Sequence, residues 1–294
     1  MARNDVRDAI AQSFLDSLNA GIIPWRRPWN AGVGRPRNAV TQRPYRGVNA
    51  FYLGMLQTIR QYPTGEWLTL NQTLKAGGRV MYSEFRNSTE VVFWQFVKKE
   101  KTVNGNKVTE TFPLCRSFRV YNRAQCEGLA PSKASAPVEH SPIETAQRIM
   151  DNMPNRPKVS IVESETAHYV PALDSVTLPL MSQFKTAGGF YATAFHELAH
   201  STGHQSRLGR ELSMMTEAYS KEELIAEMTA SFLSAEAGIF DEDLQENATA
   251  YVQGWAARLG KEPRVIIEAA GLAQKAADYI LGTTFPKDGE EAGE

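Results

Sequence analysis

The chain lacks the features that mark secreted and membrane proteins. It contains only two cysteines, Cys115 and Cys126, among 294 residues, which is too few for a disulfide framework and fits a reducing compartment. No apolar run approaches the length that spans a bilayer, and no apolar segment typical of a secretory signal follows the first five residues. With 42% hydrophobic and 22% charged residues, the composition is that of a globular protein. We therefore expect a cytoplasmic protein with no membrane partner.

The net charge of the whole chain is close to zero because its two halves carry net charges of opposite sign. Residues 1–130 carry 19 lysines and arginines against 9 acidic residues, a net charge of +10, whereas residues 131–294 carry 13 against 24, a net charge of −11. Between the halves, residues 131–142 have the proline-rich and serine-rich composition of a linker. The sequence therefore predicts a basic domain at 1–130, a linker at 131–142 and an acidic domain at 143–294, with different partners for the two domains.

Acidic residues are absent between Arg26 and Arg46, where six arginines and several aromatic residues occur. Arginine pairs with phosphate through its planar fork, and exposed aromatic rings stack on unpaired bases. This mixture favours single-stranded nucleic acid over a duplex groove. The predicted DNA-binding residues are Trp25, Arg26, Arg27, Trp29, Arg35, Arg37, Arg43, Tyr45 and Arg46. The alternative is that Trp25, Trp29 and Tyr45 belong to the core and that the arginines form a solvated rim.

The basic half is expected to be α+β. The predicted helices cover Asp5–Ala20, Phe51–Arg60 and a short segment that ends at Gly77-Gly78, and the predicted strands cover Glu90–Val97, Lys107–Phe112 and Ser117–Asn122. Asn104-Gly105 is a hairpin turn signal between the first two strands. Four lysines on this hairpin either extend the basic surface or protect an edge strand.

The acidic half contains the motif His196-Glu197-x-x-His200 inside a predicted helix. Residues four apart share a helix face, so both imidazoles can point at one ion. Zinc binds neutral imidazole nitrogens, a catalytic zinc site keeps one position for water, and Glu197 is the candidate base for that water. The alternative is two surface histidines on an ordinary helix. The motif is surrounded by apolar residues, which indicates a buried site: Ala194, Phe195, Leu198 and Ala199.

A third ligand is needed, and the following helix supplies acidic candidates. Ser206 stands where one zincin class has a third histidine, and His204 lies in a straight row with the first two histidines, so neither completes the site well. On the predicted helix Lys221–Leu233, Glu227 has apolar neighbours, so we predict Glu227 as third ligand of one Zn²⁺ or similar ion per chain, with Glu223 in reserve. The alternative for Glu227 is a salt bridge.

The rest of the acidic half predicts a small sheet and three more helices. The predicted strands are Val159–Val162, His168–Pro171 and Ser175–Leu180, and the additional helices are Ile143–Met153, about Asp243–Leu259 and Pro263–Leu281. Zincin-type sheets place an edge strand beside the cleft, where an extended peptide can add to it. We predict Val176–Leu180 as that edge strand.

Taken together, these residues resemble the ArdC-type antirestriction proteins of conjugative plasmids, and the first half also resembles part of certain plasmid primases. The matching segments are Pro24–Trp29, Asn38 with Thr41–Asn49, Val91–Trp94, His196–His204 and Glu222–Glu227. The resemblance implies an N-terminal domain that binds single-stranded DNA, followed by a zincin-like metallopeptidase domain. It implies protection of incoming plasmid DNA from host restriction during conjugation, and metal ligation by His196, His200 and the matching helix glutamate. A host restriction-modification protein or another host protein is a further candidate partner of the second domain.

Overall fold

The computed structural model describes residues 5–25, 33–103, 106–132, 142–210, 216–239 and 248–283. Within these residues the α-helices are α1 (Val6–Asn19), α2 (Gly47–Ile59), α3 (Leu70–Lys75), α4 (Pro142–Asp151), α5 (Ala187–Ser201), α6 (Thr216–Ala237), α7 (Ala248–Lys261) and α8 (Val265–Ile280). The strands are β1 (Arg37–Asn38), β2 (Glu66–Thr69), β3 (Arg79–Val80), β4 (Thr89–Val103), β5 (Asn106–Asn122), β6 (Cys126–Glu127), β7 (Lys158–Val162), β8 (His168–Val170) and β9 (Ser175–Pro179). The fold is α+β, as predicted. In the described parts of the chain, no helix combines the length and apolar character that crossing a bilayer requires.

The first half is built on a four-stranded sheet with the order β1-β2-β5-β4. Strand β1 runs parallel to β2, and the other two pairings are antiparallel. Helix α2 covers one face of this sheet, where Leu53 and Leu56 share a cluster with Trp67, Val91 and Val120. Strands β3 and β6 form a separate two-stranded pair.

Strands β4 and β5 form a long hairpin whose pairing is continuous from Thr89↔Val120 to Val103↔Asn106. The prediction of two strands after the turn is wrong, because β5 runs unbroken through Pro113, which pairs with Phe96. Strand β2 pairs with β5 only at residues 120–122, so the outer edge of β5 is unpaired at Pro113 within the described sheet. A residue without an N–H group is tolerated at such an edge. The predicted turn at 104–105 lies outside the described residues.

The second sheet has three strands in the order β7-β9-β8. Strand β9 is parallel to β7 and antiparallel to β8, so both of its edges are already hydrogen-bonded. The prediction that Val176–Leu180 is an edge strand is therefore wrong, because β9 is the central strand of the sheet. Both β9 and β8 contact helix α5, and β8 is the edge strand nearer to the His-Glu-x-x-His helix in this arrangement.

Helix α1 packs through one apolar face against helices of the other half. Its N-terminus is capped by Asp5, whose Oδ1 accepts a hydrogen bond from the backbone N–H of Arg7 at 3.1 Å. Ile10, Phe14 and Leu18 are fully buried, and the helix packs on α7 and α8. The first helix of the basic half thus belongs to the core of the acidic half.

One hydrophobic core crosses the predicted linker. The Trp25 ring meets Trp255 edge to face with centroids 5.7 Å apart, and the Phe51 and Phe232 rings lie 4.2 Å apart. These residues belong to a single cluster that draws on both halves. The division at 131–142 stays a prediction, and the two halves it separates share their packing.

Candidate metal centre

Helix α5 positions the His-Glu-x-x-His motif. The helix starts after Thr186, whose Oγ1 accepts a hydrogen bond from Gly189 N at 3.0 Å, as an N-cap residue does. One side of the helix is buried among apolar residues, while the side chains of His196 and His200 remain 23% and 15% exposed. The apolar side therefore anchors the helix, and the two imidazoles face a site that solvent and small ligands can reach.

Three side chains from α5 and α6 converge at this site. The Nε2 atoms of His196 and His200 are 3.1 Å apart. The Glu223 carboxylate lies 3.6 Å from His196 Nε2 through Oε2 and 3.3 Å from His200 Nε2 through Oε1. One ligand atom from each residue lies within 4.8 Å of the others. Two imidazole nitrogens and one carboxylate oxygen form a donor set that suits zinc or a similar divalent ion.

Glu223 occupies the place that the sequence analysis gave to Glu227. Among the described residues, the cluster of possible ligands contains Glu223 and omits Glu227. The prediction inferred burial from sequence neighbours, but adjacent residues on a helix point about 100° apart, and Glu223 and Glu227 are in fact both half-buried. The packing of α6 against α5 decides which carboxylate meets the histidines, so we revise the assignment to Glu223.

A buried ion pair contacts His200 on the side of its ring that faces away from the ligand cluster. Glu222 Oε1 lies 3.5 Å from His200 Nδ1, and the same carboxylate accepts hydrogen bonds from Arg210 Nη2 at 2.7 Å and Nε at 3.1 Å. Arg210 also donates to the backbone carbonyl of Ala199 at 3.0 Å and to Thr202 Oγ1 at 2.7 Å. Arg210 thereby ties the C-terminal end of α5 to α6, and Glu222 is placed to fix the orientation of the His200 ring.

The electrostatics of the site follow from these contacts. Burial by itself lowers the pKa of His200, but its hydrogen bonds to Glu222 and Glu223 outweigh burial and raise that pKa to about 9. Burial raises the pKa of Glu223, yet the hydrogen bonds to His196 and His200 hold it well below its usual range. The metal-free site therefore keeps a proton on His200, and a metal ion must displace that proton to bind.

Glu197 and His204 have different surroundings. Glu197 is 8% exposed, and its negative charge is one of those that raise the pKa of His200. His204 Nδ1 instead lies 2.8 Å from Ser206 Oγ at an exposed position, and it stands apart from the ligand cluster.

The predicted DNA-binding residues are dispersed, and several hold the two halves together. Trp25 is fully buried and Tyr45 is 7% exposed; a buried ring cannot stack on a base, so the stacking role predicted for these two residues is wrong and the core alternative holds. Arg46 forms an ion pair with Asp278. Arg26, Arg27 and Trp29 lie outside the described residues.

The remaining arginines of the segment differ in exposure. Arg35 donates to Tyr45 O at 3.2 Å and lies 3.8 Å from Glu236. With Arg37 it lines a cavity of about 340 Å³ that Glu236 and Asp278 also line, so acidic groups offset the arginine charge there. Arg43 is exposed.

The sequence reasoning missed Arg210 and the role of Glu222. Glu222 was not among the predicted site residues, yet it is 6% exposed and contacts His200 and Arg210. The sequence feature that could have pointed to Glu222 is its position next to Glu223, which was already a candidate ligand. No local pattern marks Arg210, because its role depends on how the chain returns toward α6 after helix α5.

The site and its sheet define a class of protein, a zincin-like metallopeptidase fold joined to a second α+β unit. Residues 145–272 match the family described as zincin-like metallopeptidase, and residues 4–121 match the N-terminal domain of anti-restriction factor ArdC. The chain belongs to the ArdC antirestriction family.

Solved structures and a curated relative agree with this assignment. The metal-free crystal structure of the antirestriction ArdC protein from the R388 plasmid is 29% identical, with a TM-score of 0.74 over 94% of this chain and 96% of that chain. Its Mn(II)-bound form is 28% identical, with a TM-score of 0.75 over 95% and 97%. A DNA primase TraC of Escherichia coli is 32% identical over 293 residues, which cover 93% of this chain and 20% of the primase. The chain thus spans about a fifth of the length of that relative.

Proposed function

We propose that this protein binds single-stranded DNA and protects incoming plasmid DNA from host restriction endonucleases during conjugation, acting in the cytoplasm. The observation that carries the proposal is the likeness to an antirestriction ArdC protein over 94% of the chain, together with a complete His-His-Glu cluster. The net charge of +10 on residues 1–130 supports a polyanionic partner.

The donor set of the centre fits a divalent metal, and the Mn(II)-bound relative points the same way. We propose one Zn²⁺ or similar ion per chain, held by His196, His200 and Glu223. When bound, such an ion polarises a carbonyl oxygen and lowers the pKa of a water molecule.

The surrounding side chains have complementary roles. Glu222 accepts the Nδ1–H of His200, so the lone pair of His200 Nε2 faces the centre. Arg210 holds the Glu222 carboxylate through two hydrogen bonds. We assign the role of general base toward a water molecule to Glu197, a largely buried carboxylate beside His196 on the same helix.

A second candidate function is a metalloprotease that cleaves a host protein and uses DNA binding only for localisation. It is favoured by strand β8, which contacts α5 and pairs on one side only within the described sheet. An extended peptide can add to an open strand edge of this kind.

Conjugative transfer into restricting and non-restricting recipients tests the proposal and separates the two functions. The wild-type protein should raise transfer into the restricting recipient only; no increase would refute the protective role. Glu197→Gln should protect as well as the wild type if DNA binding is sufficient. Loss of protection by a Glu197→Gln protein that still binds metal and DNA would favour the protease instead.

A further inference from the structure

The β4–β5 hairpin carries a row of apolar side chains on one face. Residues directly opposite each other in an antiparallel pair point to the same face, and the register pairs Val91 with Phe118 and Val97 with Phe112. Because side chains alternate along a strand, the two pairs between them on this face are Phe93 with Arg116 and Gln95 with Leu114. We call Val97, Phe112, Leu114, Arg116 and Phe118 the hairpin face.

The apolar members of the hairpin face are exposed. Phe112 is 47%, Leu114 44%, Val97 39% and Phe118 37% exposed. Such a row of large apolar side chains on one side of a ribbon marks an interaction site more often than an accident of packing.

The opposite face of the same ribbon packs against the main core. Val92 is 3% exposed and belongs to the main core, Cys115 packs against that core, and the Arg7 guanidinium lies 6.0 Å from the Trp94 ring. On the side of the hairpin face, packing against the rest of the protein ends at Val91 and Phe93, so the hairpin face extends beyond the packed part of the ribbon.

The exposed row is joined to the core by a series of aromatic contacts. Tyr45 and Phe93 have ring centroids 6.5 Å apart, and Phe93 meets Phe118 edge to face at 5.3 Å. Beyond Phe118 the row leaves the buried cluster and runs toward the hairpin tip. Same-face positions on a strand are about 6.6 Å apart, which leaves room for successive unstacked bases.

We propose that the hairpin face is the base-stacking surface for single-stranded DNA, with Phe112, Leu114 and Phe118 under the bases and Arg116 against a phosphate. This inference rests on the proposed DNA-binding function and replaces the buried aromatic residues as its stacking site. Residues 89–122 contain six lysines and arginines against three glutamates, so the charge of the hairpin complements a polyanion. A duplex does not offer its base faces, which is why the surface fits unpaired strands.

The test measures the affinity of the full chain for a labelled oligothymidylate of about 20 nucleotides by fluorescence anisotropy at several salt concentrations. Phe112→Ala should weaken binding about tenfold, because a lost aromatic stacking contact costs that much. Leu114→Ala should weaken binding less, because leucine packs against a base without a ring to stack on it, and neither change should alter the salt slope. Phe112→Tyr keeps a ring and should restore near-normal affinity.

A matched pair of arginines supplies the control. Arg116→Ala should weaken binding and lower the slope of log affinity against log salt by about 0.7. Arg119→Ala removes the same charge from the opposite face, where Arg119 is ion-paired with Glu90 at 3.3 Å, and should change affinity much less.

The outcomes separate this inference from the function on which it rests. A wild-type protein that does not bind the oligonucleotide would refute the proposed DNA binding itself. Wild-type binding that survives Phe112→Ala and Leu114→Ala combined would leave that function standing and overturn the hairpin face. A change of oligomeric state without a change of affinity would assign the face to a second protein chain and also overturn it.

Discussion

Arg210 and Glu222 form a buried ion pair directly behind the second histidine of the metal centre. The side chains of both residues are 8% exposed, and the Nη2–Oε1 distance is 2.7 Å. Breaking a buried pair by removing one partner leaves an uncompensated charge, and this pair also orients His200 and closes the end of α5. The same contact therefore supports both the fold and the donor geometry.

Substitution of Arg210 should show both effects. Arg210→Ala should lower the free energy of unfolding of the metal-free protein by about 3 kcal/mol and weaken metal binding by about 10- to 100-fold. Urea denaturation and chelator competition measure the two. Arg156→Ala is the control, because the Arg156–Asp151 pair is largely solvated and should contribute less than about 1 kcal/mol. Equal effects of the two substitutions would contradict a supporting role for Arg210.

The revised third ligand can be tested by metal content. Glu223→Ala should lower bound metal strongly because it removes the only carboxylate of the described ligand cluster. Glu227→Ala, one turn later on α6, should leave most of the metal in place. Elemental analysis of both proteins after dialysis against a weak chelator decides, and the reverse order would restore Glu227 as the ligand.

Metal affinity should depend on pH through His200. Its pKa is raised to about 9 in the metal-free protein, and only the deprotonated imidazole binds metal. Apparent affinity should therefore rise with pH until about pH 9, and binding near pH 7.5 should release a proton to the buffer. Isothermal titration in buffers of different ionisation enthalpy would detect that proton. An affinity that is flat between pH 7 and 9 would contradict the raised pKa.

The stability of the metal-free protein should change in the opposite direction. The folded pKa of His200 lies above its ordinary value of 6.5, so protonated His200 stabilises the fold fully below about pH 6.5. That contribution is lost as the pH rises through about 9. Denaturation midpoints of the wild type and His200→Gln should thus converge toward alkaline pH.

Glu197→Gln separates metal binding from proton transfer. The amide keeps the size of the side chain and cannot act as a base, so metal content should stay at the wild-type level while hydrolysis of any peptide substrate is lost. Casein or host-lysate digestion with and without chelator is the assay. Loss of metal from Glu197→Gln would show that Glu197 holds the site together instead.

Much of the fold could be read from periodicity. The amphipathic spacing of Ile10, Phe14 and Leu18 predicted helix α1, and the three short strands of the second sheet were placed to within a residue or two. These features depend on local patterns of apolar residues, which are visible in the sequence itself.

The predictions that were wrong or revised concern residues whose surroundings depend on tertiary packing. Composition could not tell that Trp25 and Arg35 meet residues of the other half, because those partners lie more than 200 positions away. Similarly, Glu223 and Glu227 share a helix face at one-turn spacing, and only the crossing of α6 over α5 distinguishes them. The histidine pair was predictable because both members lie on one helix.

The core shared by the two halves has a thermodynamic consequence. Phe51 packs on Phe232 of α6, and α6 also supplies Glu223, so a ligand that stabilises α6 stabilises the surface on which the first half rests. Metal bound at the centre should therefore raise the melting temperature of the whole chain in a single transition, by an amount set by its free concentration relative to its dissociation constant. Expressed alone, residues 1–130 would expose Trp25 and Phe51 to water, so we expect this part to be less stable by itself than within the full chain.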